Sequence, residues 1–234
     1  MRPLYLSTPV RESLGPCLRP GGAILTRRII DLTRPRPDDV VLDAGCGAGG
    51  SMALLRVHGV RTVLGLDLEP GLLLESRASG GHPARADLAH LPLPDSCLDL
   101  VLCECVWNLT DREKVLSEFA RALKPGARIA LSDIFTRSRQ DRAGTWPVPC
   151  CFSGATDLAT VRGLFVKAGF TISILEDHTR LLNRTAAEFV FAHGSLQAFW
   201  QAVTGDANLA AAAWAAAATP RPGLFLLIAQ RSSP

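Results

Sequence analysis

The stretch VVLDAGCGAGG, Val40 to Gly50, constrains this chain more than any other. An apolar run reaches Asp43 and then meets Gly45, Gly47 and Gly49 at alternate positions, ahead of a helix-like segment. Three glycines between a strand and a helix let the backbone turn tightly and approach a ligand closely. The glycines alone leave alternatives open, because Gly45, Gly47 and Gly50 also satisfy the G-x-G-x-x-G pattern of a dinucleotide loop. Asp43 discriminates. A carboxylate there repels a pyrophosphate but suits a ligand carrying an ammonium or sulfonium group.

Apolar periodicity predicts strands over 39–45, 62–69, 84–88, 96–106, 128–136, 171–179 and 223–231. Between them it predicts helices over 23–33, 49–59, 71–79, 111–126 and 156–170, and a long, mainly helical insert over 184–218. Strands alternating with helices imply a parallel sheet covered on both faces, and explain why the strands read as apolar runs. At 234 residues, 47% of them hydrophobic, the chain fits one domain, 1–234. Within it, 1–36 is expected to form an N-terminal helical cap and 180–222 a helical lid over the strand ends.

The N-terminus has no apolar run suited to a signal peptide, and no stretch approaches ~20 apolar residues, so a cytoplasmic protein without a membrane span is expected. Net charge is +3, and the 22 arginines and 3 lysines are scattered, which argues against a nucleic-acid partner. Seven cysteines at irregular spacing do not form a disulfide framework and should be free thiols.

Two further acids fall at predicted strand ends. Asp67, in GLDLEP, can take both hydroxyls of a ribose. Asp87, in RADLAHL, can accept from an adenine amino group, with Leu88 beside the ring. Each alone could be a turn or cap; three acids at successive strand ends beside a glycine loop point to a nucleoside-bearing cofactor.

At these residues the chain resembles the class I S-adenosylmethionine-dependent methyltransferases. LDAGCGAGG, GLDLEP, ADLAHLPLPDSCLDLV and ALKPGARIALSD look like that superfamily's signature segments, in order, over roughly residues 22–178. The resemblance implies a Rossmann-like α/β fold: a seven-stranded, mostly parallel sheet with helices on both faces, an antiparallel last strand, and a helical insert between the last two strands. It implies S-adenosylmethionine, converted to S-adenosylhomocysteine, across the carboxyl ends of the strands. Asp43, Gly45, Cys46, Gly47 and Gly49 would lie by the methionine part, Asp67 and Leu68 at the ribose, Asp87 and Leu88 at the adenine, and Cys103 against the cofactor.

DLVLCECVWNL, Asp99 to Leu109, is read as the fourth strand. Cys103 and Cys105 are expected to share one face and Glu104 the other. An extended strand does not bring the two sulfurs into a disulfide. CEC and Cys150-Cys151 lack the paired spacing of a zinc site, so no metal is expected. CECVWNL, SDIF and CCFSGATDL are similar to the arsenite methyltransferase group, which implies Cys105 and Cys151 as thiols for a soft acceptor. The chain departs from that pattern in having no cysteine after Cys151. His178 and His193 are candidate bases or substrate contacts, Trp107 and Trp146 candidate walls of the pocket mouth, and Arg19 a candidate partner for an anionic substrate.

The expected activity is methyl transfer to a small molecule, possible soft sulfur or arsenic acceptors included. Its rivals are a nucleic-acid or protein methyltransferase and a cofactor-binding, non-catalytic subunit. An NAD-dependent dehydrogenase is disfavoured by Asp43.

Overall fold

A computed structural model of the chain describes residues 4–78, 81–137, 146–218 and 221–232. The sheet is built from β1 (Val40–Ala44), β2 (Thr62–Asp67), β3 (His82–Arg85), β4 (Leu98–Glu104), β5 (Leu123–Thr136), β6 (Phe170–Asp177) and β7 (Pro222–Arg231). Their order is β3-β2-β1-β4-β5-β7-β6. The first five strands are parallel, and β7 runs antiparallel between β5 and β6. The seven-stranded, mostly parallel sheet with an antiparallel last strand is the architecture expected.

Around it lie α1 (Thr8–Leu14), α2 (Gly22–Thr33), α3 (Gly50–Val57), α4 (Pro70–Ala78), α5 (Arg112–Ala122), α6 (Leu158–Lys167), α7 (Thr179–His193), α8 (Leu196–Thr204) and α9 (Ala207–Ala218). The α5 helix starts where the Asp111 carboxylate accepts from Lys114 N, and α6 where Asp157 accepts from Ala159 N and Thr160 N. Such caps satisfy amides that the first turn leaves unpaired. Both strand faces are buried. One core layer joins Val115, Phe119 and Phe165 of α5 and α6 to Leu98, Val101 and Cys103 of β4. The other joins Leu25, Ile29, Met52 and Leu55 of α2 and α3 to Leu100 and Leu102. A third, smaller core packs Val10 of α1 against Phe199, Trp200, Ala210 and Ala213. The N-terminal segment and the insert thus share an apolar interior.

Three of the boundaries that differ from the sequence reading have a local cause. Strand β3 ends before Asp87, whose carboxylate accepts from Ala89 N at 2.9 Å and turns the chain. Helix α5 stops at Ala122, ahead of Pro125, and β5 begins at once. Strand β4 ends at Glu104, because Cys105 adopts φ of +57°. Residues 1–3 of the expected cap, 138–145 between β5 and α6, and 219–220 of the expected lid lie outside the described residues.

Phe119 is fully buried between α5 and the sheet. Phe119→Ala should cost about 3–5 kcal/mol of unfolding free energy, read as a lower denaturant midpoint with an unchanged slope.

Candidate functional site

Strand order reverses between β1 and β4, and in such sheets the crevice for a ligand opens at that point, beyond the carboxyl ends. A cavity lies there. Asp43, Gly45, Cys46, Gly47, Asp67, Leu68, Asp87 and Leu88, eight of the ten predicted cofactor contacts, line it. The loop after β1 is pinned by Gly45 N and Cys46 N, which both donate to Leu66 O, at 2.8 and 3.0 Å. Gly45 has φ of +80°, and a Cβ there would stand 2.6 Å from Val106 Cγ1, so no other residue fits. Gly49 does not line the cavity. It lets the loop back onto α4, where a Cβ would meet Ser76 Oγ at 2.6 Å.

The three acids occupy different environments. Asp67 Oδ2 accepts from Gly47 N at 2.8 Å and Oδ1 from Glu69 N at 2.9 Å, which orients the carboxylate at the end of β2. Asp87 is held by Ala89 N as described, beside the buried Leu88, while Leu68 is 58% exposed. Asp43 is buried, and its Oδ2 has no hydrogen-bond partner among the described residues. Burial pushes its carboxyl up to about 7, helped by the nearby Glu104 charge and opposed by Arg19.

Glu104 and Arg19 form a buried ion pair on the same wall. Arg19 Nη2 and Nε donate to Glu104 Oε2 and Oε1 at 2.8 and 3.1 Å. Ser51 Oγ and Thr26 Oγ1 donate to Oε2 at 2.8 and 3.1 Å, and Arg19 Nη1 donates to Cys17 O at 3.0 Å. Arg19 is therefore committed to Glu104, and the expectation that it meets an anionic substrate is corrected. The sequence reading singled out both residues and missed their pairing. A carboxylate in an apolar strand and an arginine beside Pro20-Gly21-Gly22 were the available signals.

The cysteines are redistributed by the left-handed turn at Cys105, whose N donates to Ser132 O at 2.7 Å. Cys103 and Cys105 do not share a face: Cys103 packs on the α5–α6 side and Cys105 on the α2–α3 side. Cys103 is fully buried and does not line the cavity, so its expected place against the cofactor is corrected; Glu104 and Cys105 line the wall there. Cys105 and Cys151, 46 positions apart, come together. The Cys151 thiol is raised, first by its hydrogen bond with the Cys105 thiol and then by burial. Asn108 holds this arrangement: its Nδ2 donates to Cys151 O at 2.9 Å, Ile134 O at 2.7 Å and Asp133 Oδ1 at 3.0 Å. Tyr5, the chain's one tyrosine, lines the cavity and accepts from Cys151 N through Oη at 3.2 Å. No group of three His, Cys, Asp or Glu among the described residues is placed to hold a metal ion.

Other candidates fall elsewhere. His178 Nε2 hydrogen-bonds Glu176 Oε2 at 2.8 Å, in a surface cluster with Arg28, and does not line the cavity. Its place near the expected lid suggested a base; the Glu176 carboxylate takes up its ring instead. His193 packs edge-on against Phe199. Trp107 is fully buried against Phe165 rather than at a pocket mouth. Among the described residues, none of the expected lid, 180–222, lines this cavity. The N-terminal residues Tyr5 and Pro16 to Arg19 do, because Arg19 is drawn in by Glu104.

Residues 42–131 match the family described as "Methyltransferase domain". That match and the relatives that follow support a class I S-adenosylmethionine-dependent methyltransferase domain. The arsenite methyltransferase of Halobacterium salinarum is 29% identical over 57% of this chain and 38% of its own length. Methyltransferase GfsG of Streptomyces halstedii is 32% identical over 72% of this chain and 66% of its own length. The chain thus spans from about two fifths to two thirds of these relatives. In fold it is similar to phosphoethanolamine N-methyltransferase 2 of Haemonchus contortus, solved with S-adenosyl-L-methionine, with a TM-score of 0.76 and 19% identity over 96% of this chain and 56% of that one. The chain has no helix, among its described residues, long and apolar enough to cross a membrane.

Removing one partner of a buried ion pair strands the other charge. Arg19→Ala should cost about 3–5 kcal/mol in chemical denaturation. The double variant Arg19→Met, Glu104→Met should recover most of that loss.

Proposed function

We propose that this chain binds S-adenosylmethionine in the cavity at the ends of β1 to β3 and transfers its methyl group to a small-molecule acceptor. The observation that carries this reading is Asp43: a buried carboxylate with one oxygen unpartnered among the described residues, beside a glycine loop in the cavity wall. An uncompensated buried acid is costly, and a cationic ligand offsets the cost. The ammonium and sulfonium of S-adenosylmethionine suit it, and a dinucleotide pyrophosphate does not.

The remaining wall fits the rest of that molecule. Asp67, oriented by two backbone amides, keeps lone pairs for a ribose diol. Asp87 can accept from the adenine amino group, and Leu88 supplies an apolar side to the ring. When bound, the cofactor supplies a methyl group on a sulfonium, whose carbon–sulfur bond breaks as the acceptor's lone pair bonds the carbon. The chain's task is then alignment and exclusion of water, and alignment supplies much of the rate. A base is needed only where the acceptor carries a proton at the working pH. Seven free thiols fit a reducing cytoplasm.

A soft sulfur or arsenic acceptor is the second reading, and the Cys105–Cys151 contact beside the cavity favours it. Against it, the raised Cys151 thiol holds its proton, whereas soft ions are bound by thiolates. Cys105→Ser and Cys151→Ser should abolish arsenite methylation while leaving cofactor binding intact; full activity in both refutes the thiol role.

Calorimetry should show S-adenosylmethionine binding that Asp43→Asn loses and Asp67→Ala weakens by about tenfold, roughly one lost charge-assisted contact. Tighter binding of NADH would overturn the cofactor assignment. Since Asp43 titrates near 7 and its charged form takes the ligand, affinity should rise from pH 6 to 8 and level off above. A carboxyl raised in the folded state contributes stability that is present below about pH 4 and lost as pH rises through 7. Asp43→Asn should therefore raise the melting midpoint of the ligand-free protein at pH 8 and barely change it at pH 4.

A further inference from the structure

A direct displacement requires the acceptor to stand in the same cavity as the methyl group. A second cavity, walled by Trp146, Phe189, Phe199 and Trp200, shares no lining residue with the first among the described residues. The acceptor therefore has to fit beside the cofactor, beyond β1 to β3. Under the proposed function, Asp43 and the glycine loop, Asp67, and Asp87 with Leu88 are taken up by the cofactor. The wall left over runs from Tyr5 and Leu18 to Cys105, Val106, Leu109 and Thr110.

The side chains of that wall carry no formal charge. Thr110 Oγ1 donates its hydrogen to Trp107 O at 2.8 Å, so toward a ligand it can only accept. The Cys105 thiol is hydrogen-bonded with Cys151. Burial, above all, holds the Tyr5 phenol well above its usual range, so it stays neutral.

The charge around this wall is mostly of one sign. Asp43, Asp67, Glu69, Asp87 and Glu104 line the cavity, and among the described residues Arg19 is the one cation that does. Arg19 commits its hydrogens inside the wall, to Glu104, Thr26, Ser51 and Cys17 O. The single net positive charge of S-adenosylmethionine does not balance the rest. Such a cavity focuses a negative potential on whatever enters.

That potential sorts nucleophiles by charge. A carboxylate, a phosphate or a thiolate is repelled, and finds no uncommitted cation. An amine gains. Its nitrogen lone pair bonds the methyl carbon, the carbon–sulfur electron pair goes to sulfur, and the positive charge passes from sulfur to nitrogen. The surrounding carboxylates stabilise the charge at both places. An amine that arrives as an ammonium first gives one proton to water.

We infer, on the footing of the methyl transfer proposed above, that the acceptor is a small amine bearing no carboxylate or phosphate. Its N–H groups meet the lone pairs of the wall, and the product is the N-methylated amine.

The test uses the full chain and matched ring compounds: benzylamine and phenethylamine, benzoate and phenylacetate, and benzyl mercaptan. Calorimetry on protein loaded with S-adenosylhomocysteine should show each amine binding about tenfold or more tightly than its matching acid. Labelled S-adenosylmethionine should methylate the amines faster than the acids or the thiol. Leu109 lines the cavity and is 40% exposed, so Leu109→Lys places a cation there without opening the core. It should lower kcat/KM for the amines by about tenfold and narrow the gap to the acids. Glu69→Gln, which removes one lining charge and keeps the side chain's shape, should shift the same ratio in the same direction by less. Acids that bind as tightly as their amines overturn the inference. So does a thiol methylated faster than every amine, a protein that binds S-adenosylmethionine and methylates no amine, or a ratio that neither variant moves. A wild type that fails to bind S-adenosylmethionine overturns the methyltransferase reading itself, and this inference with it.

Discussion

Glu104 is a carboxylate at the end of the central strand, buried where water cannot solvate it. Arg19 makes that tolerable, through two hydrogen bonds of its own and the support of Thr26 and Ser51. Because Arg19 sits in the segment before α2, satisfying Glu104 draws residues 16–19 across the glycine loop. The cavity wall, the cover and the charge balance around Asp43 follow from this one pair. Desolvation makes such a pair a poor source of net stability but a strict one, since either charge alone is worse than none.

Five carboxylates, Asp43, Asp67, Glu69, Asp87 and Glu104, line one cavity among the described residues, with a single guanidinium, Arg19. Glu104 consumes that guanidinium, and Asp43 is left with a raised carboxyl and a bare oxygen. Stability would be served by an amide at position 43. Under the proposed function a cation completes the acid, which is how a binding site differs from a core.

Much of the fold was legible in the sequence. Apolar runs, the 3.6-residue pattern over 111–123 and the glycine loop are local signals, and local sterics and hydrogen bonding enforce them. The lining of the first cavity was legible for the same reason: Asp43, Gly45, Gly47 and Asp67 sit at strand ends, and strand ends in a parallel sheet converge. Gly49 and Cys103 were misplaced because alternation and motif spacing give no account of a helix packing behind a loop, or of a left-handed residue that ends a strand early. His178 was misplaced because Glu176, two residues back, claims its ring.

By itself the sequence determined the element order, the parallel sheet and which acids reach its carboxyl edge, since each depends on neighbours within a turn or a strand. Only the tertiary structure decided that Arg19 answers Glu104, that Cys105 meets Cys151, that the N-terminal segment lines the cavity beyond β1 to β3, and that the insert walls a second, aromatic one. Those outcomes depend on which desolvated groups find partners across tens of residues, and the pattern along the chain carries no record of that.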